Sequence, residues 1–111
     1  LPDLLKKIAE ISAKFNVTTP CFGHTGDGNV HTNVMVDKND PDAIKRGYQA
    51  IEEIFKATIE LGGTLSGEHG IGIAKAPFMH LAFSDAEMRI FREIKKAFDP
   101  NNILNPHKMG L

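Results

Sequence analysis

Cysteine is almost absent from this sequence: Cys21 is the sole thiol among 111 residues, which excludes an intrachain disulfide and any multi-cysteine zinc site. That usage suits a reducing cytoplasm, and Cys21 itself reads as a small buried residue. An excess of charge of one sign is lacking too. Thirteen Lys and Arg stand against fourteen Asp and Glu, for a formal net charge of −1, and neither sign gathers into a block that would mark a nucleic-acid or membrane surface. No apolar run approaches the roughly 18 to 20 residues of a membrane span, and the first residues lack the basic-then-apolar order of a signal peptide. Internal repeats and low-complexity linkers are missing as well. The expectation is a soluble, cytoplasmic chain with no nucleic-acid partner and no transmembrane segment.

The hydrophobic share of 41% with 24% charged residues is ordinary for a globular protein and leaves room for one domain with a modest core. A core of this size is marginal alone, so a homo-oligomer or a partner domain would add stability. The chain starts at Leu1 rather than methionine and enters a helical pattern almost at once, as expected of a piece of a longer protein.

Leu4, Leu5, Ile8, Ile11 and Phe15 recur at helical spacing, which predicts an amphipathic helix over 2–15, with Pro2 in its first turn and Asn16 ending it. The β-branched run from Val17 leads into a strand reaching about His24. After a turn at Thr25-Gly26-Asp27-Gly28, residues 29–36 alternate as a second strand, with Val30, Val34 and Val36 on one face and His31, Asn33 and Met35 on the other. Asp40-Pro41 opens a helix with Ile44, Tyr48, Ile51, Phe55 and Ile59 as its apolar stripe, stopped by Gly62-Gly63. Residues 64–72 hold too many glycines for a helix and read as a short extended segment passing into a loop. A brief helix over 73–82, bent by Pro77, precedes a last helix over 85–97, which Ser84 and Glu87 cap and which turns Met88, Phe91, Ile94 and Phe98 inward. Asp99-Pro100 ends it. The fold class that follows is α+β, an antiparallel sheet with helices mainly on one face.

Two clusters carry chemistry. If Gly26, Asp27 and Gly28 form the turn, His24 and His31 lie near its mouth on adjacent strands, where directly opposed partners have Cβ atoms roughly 4.5 to 5.5 Å apart, so two imidazoles can reach one metal ion. Asn33 projects from the same face as His31, with an amide able to bind a polar ligand. In the second cluster, Gly67-Glu68-His69-Gly70, Glu68 supplies an oxygen ligand from a loop whose glycines permit close approach. His24, His31 and Glu68 make a three-ligand shell with open positions, suited to zinc, manganese or iron. Each residue alone has a plainer reading: a lone histidine is more often structural, and an aspartate between glycines, like Asp27, usually bonds its own turn. His80 and His107 lack a glycine-shaped setting and read as surface or structural. A phosphate cradle at the glycines of 67–72 is disfavoured, because Glu68 would repel the anion and no strand, glycine loop and helix follow in order.

Three motifs, Gly23-His-Thr-Gly-Asp-Gly-Asn-Val-His31, Gly62-Gly-Thr-Leu-Ser-Gly-Glu-His-Gly-Ile-Gly72 and Phe98-Asp-Pro-Asn-Asn-Ile-Leu-Asn-Pro-His-Lys108, resemble the C-terminal domain of FAD-linked oxidases. That family includes glycolate oxidase D-type subunits, D-lactate dehydrogenases and D-2-hydroxyglutarate dehydrogenases. The resemblance implies a divalent metal, zinc or manganese, on His24, His31 and Glu68, His69 as catalytic base, Asn33 against substrate and Asn105 near the flavin. His107 stands where the family often has glycine. The resemblance also implies that FAD is bound chiefly by an N-terminal domain absent from this chain, and that an electron-transfer subunit can follow. The first helix and hairpin would then belong to a ferredoxin-like cap domain, and the last helix with its tail would return toward the flavin domain.

The expected activity is oxidation of a small 2-hydroxy acid to a 2-oxo acid, with hydride transferred to FAD. Two alternatives stay open from the residues alone: a stand-alone metal-binding module, and a metal-dependent hydrolase in which Glu68 or His69 activates water.

Overall fold

The computed structural model describes residues 2–24 and 26–111, His24 through its backbone only. In chain order the elements are α1 (Pro2–Phe15), β1 (Cys21–His24), β2 (Asn29–Thr32), α2 (Pro41–Glu60), a 3-10 turn at Ala76–Phe78, α3 (Met79–Ala82), α4 (Asp85–Phe98) and a second 3-10 turn at Lys108–Gly110. The fold is α+β, and its sheet among the described residues is a single antiparallel pair. The chain divides into two compact units, Leu1–Gly63 and Thr64–Leu111, where composition suggested one core.

In the first unit, Ile8 and Ile11 of α1 pack with Ala50, Ile54 and Ala57 of α2, and Leu4, Phe15, Val17 and Val34 close around them. The helix boundaries are those that local chemistry dictates. Asn16 takes a left-handed conformation, φ 52°, just past α1. The Asp40 carboxylate accepts from the Asp42 N–H at 3.0 Å, an N-cap with proline in the first turn. Beyond α2, Gly62 at φ 83° lets its own N–H and that of Gly63 turn back to the Ile59 and Thr58 carbonyls, at 3.0 and 2.8 Å.

The buried line of α2 differs from the expected stripe. It is Ala43, Gly47, Ala50, Ile54 and Ala57, while Ile44 and Tyr48 remain 38% and 62% exposed. Small side chains win this face because they let the helix come close. A Cβ on Gly47 would lie 2.8 Å from Val36 Cγ1. Of the larger apolar residues in the expected stripe, Ile51, Phe55 and Ile59 are half-buried.

The hairpin pairs Cys21 with Thr32, Phe22 with His31, Gly23 with Val30 and His24 with Asn29. Its strands are shorter than alternation predicts because Pro20 has no N–H to give the ladder. Beyond the gap the same register resumes, with Asn33 N–H on the Pro20 carbonyl at 3.1 Å, Met35 N–H on the Thr18 carbonyl at 2.8 Å and a bridge between Thr18 and Met35. Glycine is obligatory at position 23, where a Cβ would sit 2.1 Å from the Asn29 carbonyl oxygen. Cys21 is exposed rather than buried: in a two-stranded sheet both strands are edges, and its thiol faces the Thr19 carbonyl and Thr32 hydroxyl.

In the second unit the expected helix over 73–82 resolves into the 3-10 turn and the four-residue α3, with Phe78 and Met79 buried. The capping box forms as predicted: Ser84 N–H donates to Glu87 Oε1 at 3.0 Å, and Glu87 N–H to Ser84 Oγ at 3.2 Å. Its bonds, the backbone one foremost, hold the Glu87 carboxyl below its ordinary pKa. The inward face expected of α4 is not observed. No α4 residue is buried, and Ile94 and Phe98 are 52% and 85% exposed. The other elements of this unit are too short to cover a 14-residue helix. Phe91 does find a neighbour, packing edge-on against Phe83 at 5.0 Å between centroids.

Past α4 the chain is held by one carboxylate. Asp99, buried, accepts N–H bonds from Ile103 at 3.1 Å and Leu104 at 3.0 Å, and an ammonium bond from Lys95. Lys95 also reaches the Leu104 carbonyl. The tail beyond winds through left-handed conformations at Asn102, Asn105, His107 and Met109, with φ of 51°, 46°, 66° and 58°.

Candidate functional site

The hairpin register fixes what surrounds His31. Its direct partner is Phe22, while His24 lies opposite Asn29. Positions 24 and 31 are therefore diagonal neighbours, not the directly opposed pair that the sequence suggested, and a diagonal pair stands roughly 7 to 8 Å apart. That span is still within reach of two long ligating side chains, although Thr25 and the imidazole of His24 lie outside the described residues. Asp27 does what a turn aspartate does, its Oδ1 accepting the Asn29 N–H at 3.2 Å.

Strand alternation separates the two sides of this hairpin. Val34 packs into the core and Val36 lies against position 47 of α2, so Phe22, His31, Asn33 and Met35 line the other side. Phe22 and Met35 there are 61% and 60% exposed, and Asn33 is exposed too. The His31 ring lies flat on the Phe22 ring, 5.0 Å between centroids and 14° between planes. Phe22 went unnoticed in the sequence. The signal that finds it is the register: counting back from the Gly-Asp-Gly turn puts it across from His31.

The second cluster is a built loop. Leu65 anchors it by burial, the Lys75 ammonium holds the Leu65 carbonyl at 3.1 Å, and Ser66 Oγ accepts the Gly70 N–H at 2.7 Å. Gly70 and Gly72, at φ 77° and 59°, supply conformations that other residues rarely adopt. Between these fixed points Glu68 and His69 are exposed, with Glu68 Oε1 3.7 Å from His69 Nε2. That is too long for a hydrogen bond.

The chain just past the third motif reaches the end of the second. Met109 N–H donates to the Gly72 carbonyl at 2.6 Å, so the tail carrying Asn105 is pinned beside the segment carrying His69. Spacing alone gave no sign of this contact. The Asp99 carboxyl at the start of the tail is held below its ordinary pKa of 3.8, chiefly by the Lys95 bond, against an opposing effect of burial. His80 sets Nδ1 3.0 Å from the Pro77 carbonyl, a local structural contact, and His107 is exposed in the tail.

Known proteins resemble this chain along nearly its whole length. Glycolate oxidase subunit GlcD of Bacillus subtilis is 43% identical over 109 residues, covering 98% of this chain and 23% of that protein. The glycolate oxidase subunit GlcD of Escherichia coli K12 is 38% identical over 97% of this chain and 22% of its own length. A D-lactate dehydrogenase of Anaerostipes hadrus is 36% identical over 93% of this chain and 22% of its own length. The chain thus spans about a fifth of the length of these relatives. Residues 1–109 match the family described as FAD linked oxidases, C-terminal domain, and the chain belongs to that family.

Proposed function

We propose that this chain is the substrate-side, C-terminal part of a flavin-dependent 2-hydroxyacid dehydrogenase, working with an FAD-binding domain outside it. The observation that carries the reading is the near end-to-end likeness to proteins named for glycolate and D-lactate, whose shared chemistry is a hydroxyl next to a carboxylate.

In this reading His24, His31 and Glu68 hold a divalent ion, zinc or manganese. The donor set fits: two imidazoles and a carboxylate suit either metal and leave positions open. When bound, the ion supplies Lewis acidity at the substrate hydroxyl, and FAD supplies the hydride acceptor. The chain's own residues do the rest. Asn33, exposed just past β2 on the side that His31 lines, offers its amide to the substrate carboxylate. His69, exposed on its loop, takes the hydroxyl proton. Asn105, on the tail tied to Gly72, is the residue of this chain that would contact the flavin. Hydride departure then leaves the 2-oxo acid. The apolar side chains left open on α4, Ile90, Ile94 and Phe98, are of the kind a further domain covers.

The test uses the full-length protein. Mixed with glycolate or D-lactate, it bleaches its flavin absorbance. His69→Ala slows that bleaching about 100- to 10,000-fold while keeping its metal, whereas His31→Ala and Glu68→Ala lose the metal. Unchanged reduction in His69→Ala would overturn the base assignment, and full metal content in the other two would overturn the ligand set.

A further inference from the structure

Phe22 is a large aromatic residue that the core does not explain. It is 61% exposed on a two-stranded sheet, so it removes little apolar surface from water. What it does touch is the imidazole of His31, its cross-strand partner, in a near-parallel stack at 5.0 Å and 14°. The backbone beneath is rigidly specified, because the Asn29 carbonyl closes on Gly23 where no Cβ fits.

We propose that Phe22 is a positioning residue for His31, setting the plane of the imidazole for metal binding; the inference rests on the assignment of His31 as a ligand. Two physical effects favour the loaded state. A ring already held flat gives up less rotational freedom when it binds an ion. Coordination also draws electron density out of the imidazole, and a more positive ring is attracted more strongly to the negative face of a phenyl group. Tyrosine keeps that face. Leucine keeps bulk without the face, and alanine keeps neither.

The experiment is calorimetric titration of the full-length protein with Zn2+ or Mn2+, alongside NMR of the His31 ring protons in its metal-free form. Stacking predicts that Phe22→Leu and Phe22→Ala weaken metal binding by about threefold to tenfold, and that Phe22→Tyr restores it to within about twofold. It also predicts a ring-current displacement of the His31 ring protons that persists in Phe22→Tyr and disappears in Phe22→Leu. Amide resonances of Gly23 and Val30 report whether the hairpin is intact in each variant, and Phe22→Leu serves if Phe22→Ala does not fold. Equal metal affinity in all intact variants overturns the positioning role and leaves the ligand assignment standing. An absent ring-current displacement also overturns that role. Failure of the unaltered protein to bind either ion, with the displacement present, overturns the ligand assignment and the inference together.

Discussion

The hairpin carrying His31 and the loop carrying Glu68 and His69 are held in place by different physics. Behind the hairpin, Val34 packs with Ile8, Ile11, Ala50, Ile54 and Ala57, contacts that are non-directional and indifferent to pH. The loop rests on the burial of a single side chain, Leu65, and on discrete hydrogen bonds from Lys75 to Leu65, from Gly70 to Ser66 and from Met109 to Gly72, and α4 in the same unit buries none of its residues. Packing tolerates a change of solvent and not a change of volume. A hydrogen-bonded frame behaves the other way round, depending on ionisation and on backbone conformations at single residues.

The largest expected effect tests the first half of that contrast. Ile8 is 2% exposed, so Ile8→Ala should cost about 2 to 5 kcal/mol through lost burial and a residual cavity. Ile94, at 52% exposure, should lose only about 0.5 kcal/mol when cut to alanine. Urea unfolding of the two variants measures both. Similar losses would erase the distinction between a packed region and a hydrogen-bonded one.

This contrast also separates what was legible in the sequence from what was not. Helix ends were legible, since Pro2, Asn16, Asp40-Pro41, Gly62 and the Ser84–Glu87 box act within a turn of where they stand. The buried face of α2 was not, because two apolar stripes run side by side and only the partner chooses between them. Small residues such as Gly47 and Ala50 carry little hydrophobic signal and yet permit the closest approach. Pro20 cut the sheet short for a reason visible in the sequence and overlooked there. In the candidate site, the histidines and Glu68 stood out by their glycine settings. The stack of Phe22 on His31 needed the register, and the pinning of Met109 to Gly72 needed the path of a tail whose turns at Asn105 and His107 follow no periodic rule.

A medium effect, and the sharpest test of the hydrogen-bonded half, comes from Asp99. Its carboxyl is held below the ordinary 3.8 mainly by Lys95, so the folded chain binds this proton less readily than the unfolded one. The stabilisation is fully present above the ordinary aspartate range and is lost as pH falls through the lowered value. Asp99→Asn should therefore be less stable than the unaltered chain at neutral pH, with the gap narrowing in acid. Urea unfolding at about pH 7 and about pH 3 reads the gap, and faster amide exchange at Ile103 and Leu104 locates it. A gap that stays constant across that range would mean the charge on Asp99 contributes nothing. No such pH dependence is expected of the Ile8→Ala loss.

The smallest effect concerns a single torsion. His107 sits at φ 66°, a conformation that costs an L-residue roughly 1 to 2 kcal/mol, at the position where the family resemblance leads one to expect glycine. His107→Gly removes that cost but adds backbone entropy to the unfolded chain, an offset of roughly 0.5 to 1 kcal/mol. The net expectation is a gain of up to about 1.5 kcal/mol, read as a raised thermal midpoint. Lys108, next in the chain and not at positive φ, is the control: with no left-handed strain to relieve, Lys108→Gly should lower the midpoint. If both substitutions lower it, the torsion at His107 is not stored strain, and the tail is better adapted to histidine than to glycine. If only His107→Gly raises it, the tail beside Gly72 carries a strain that side-chain packing does not remove, as a frame built from single backbone contacts requires.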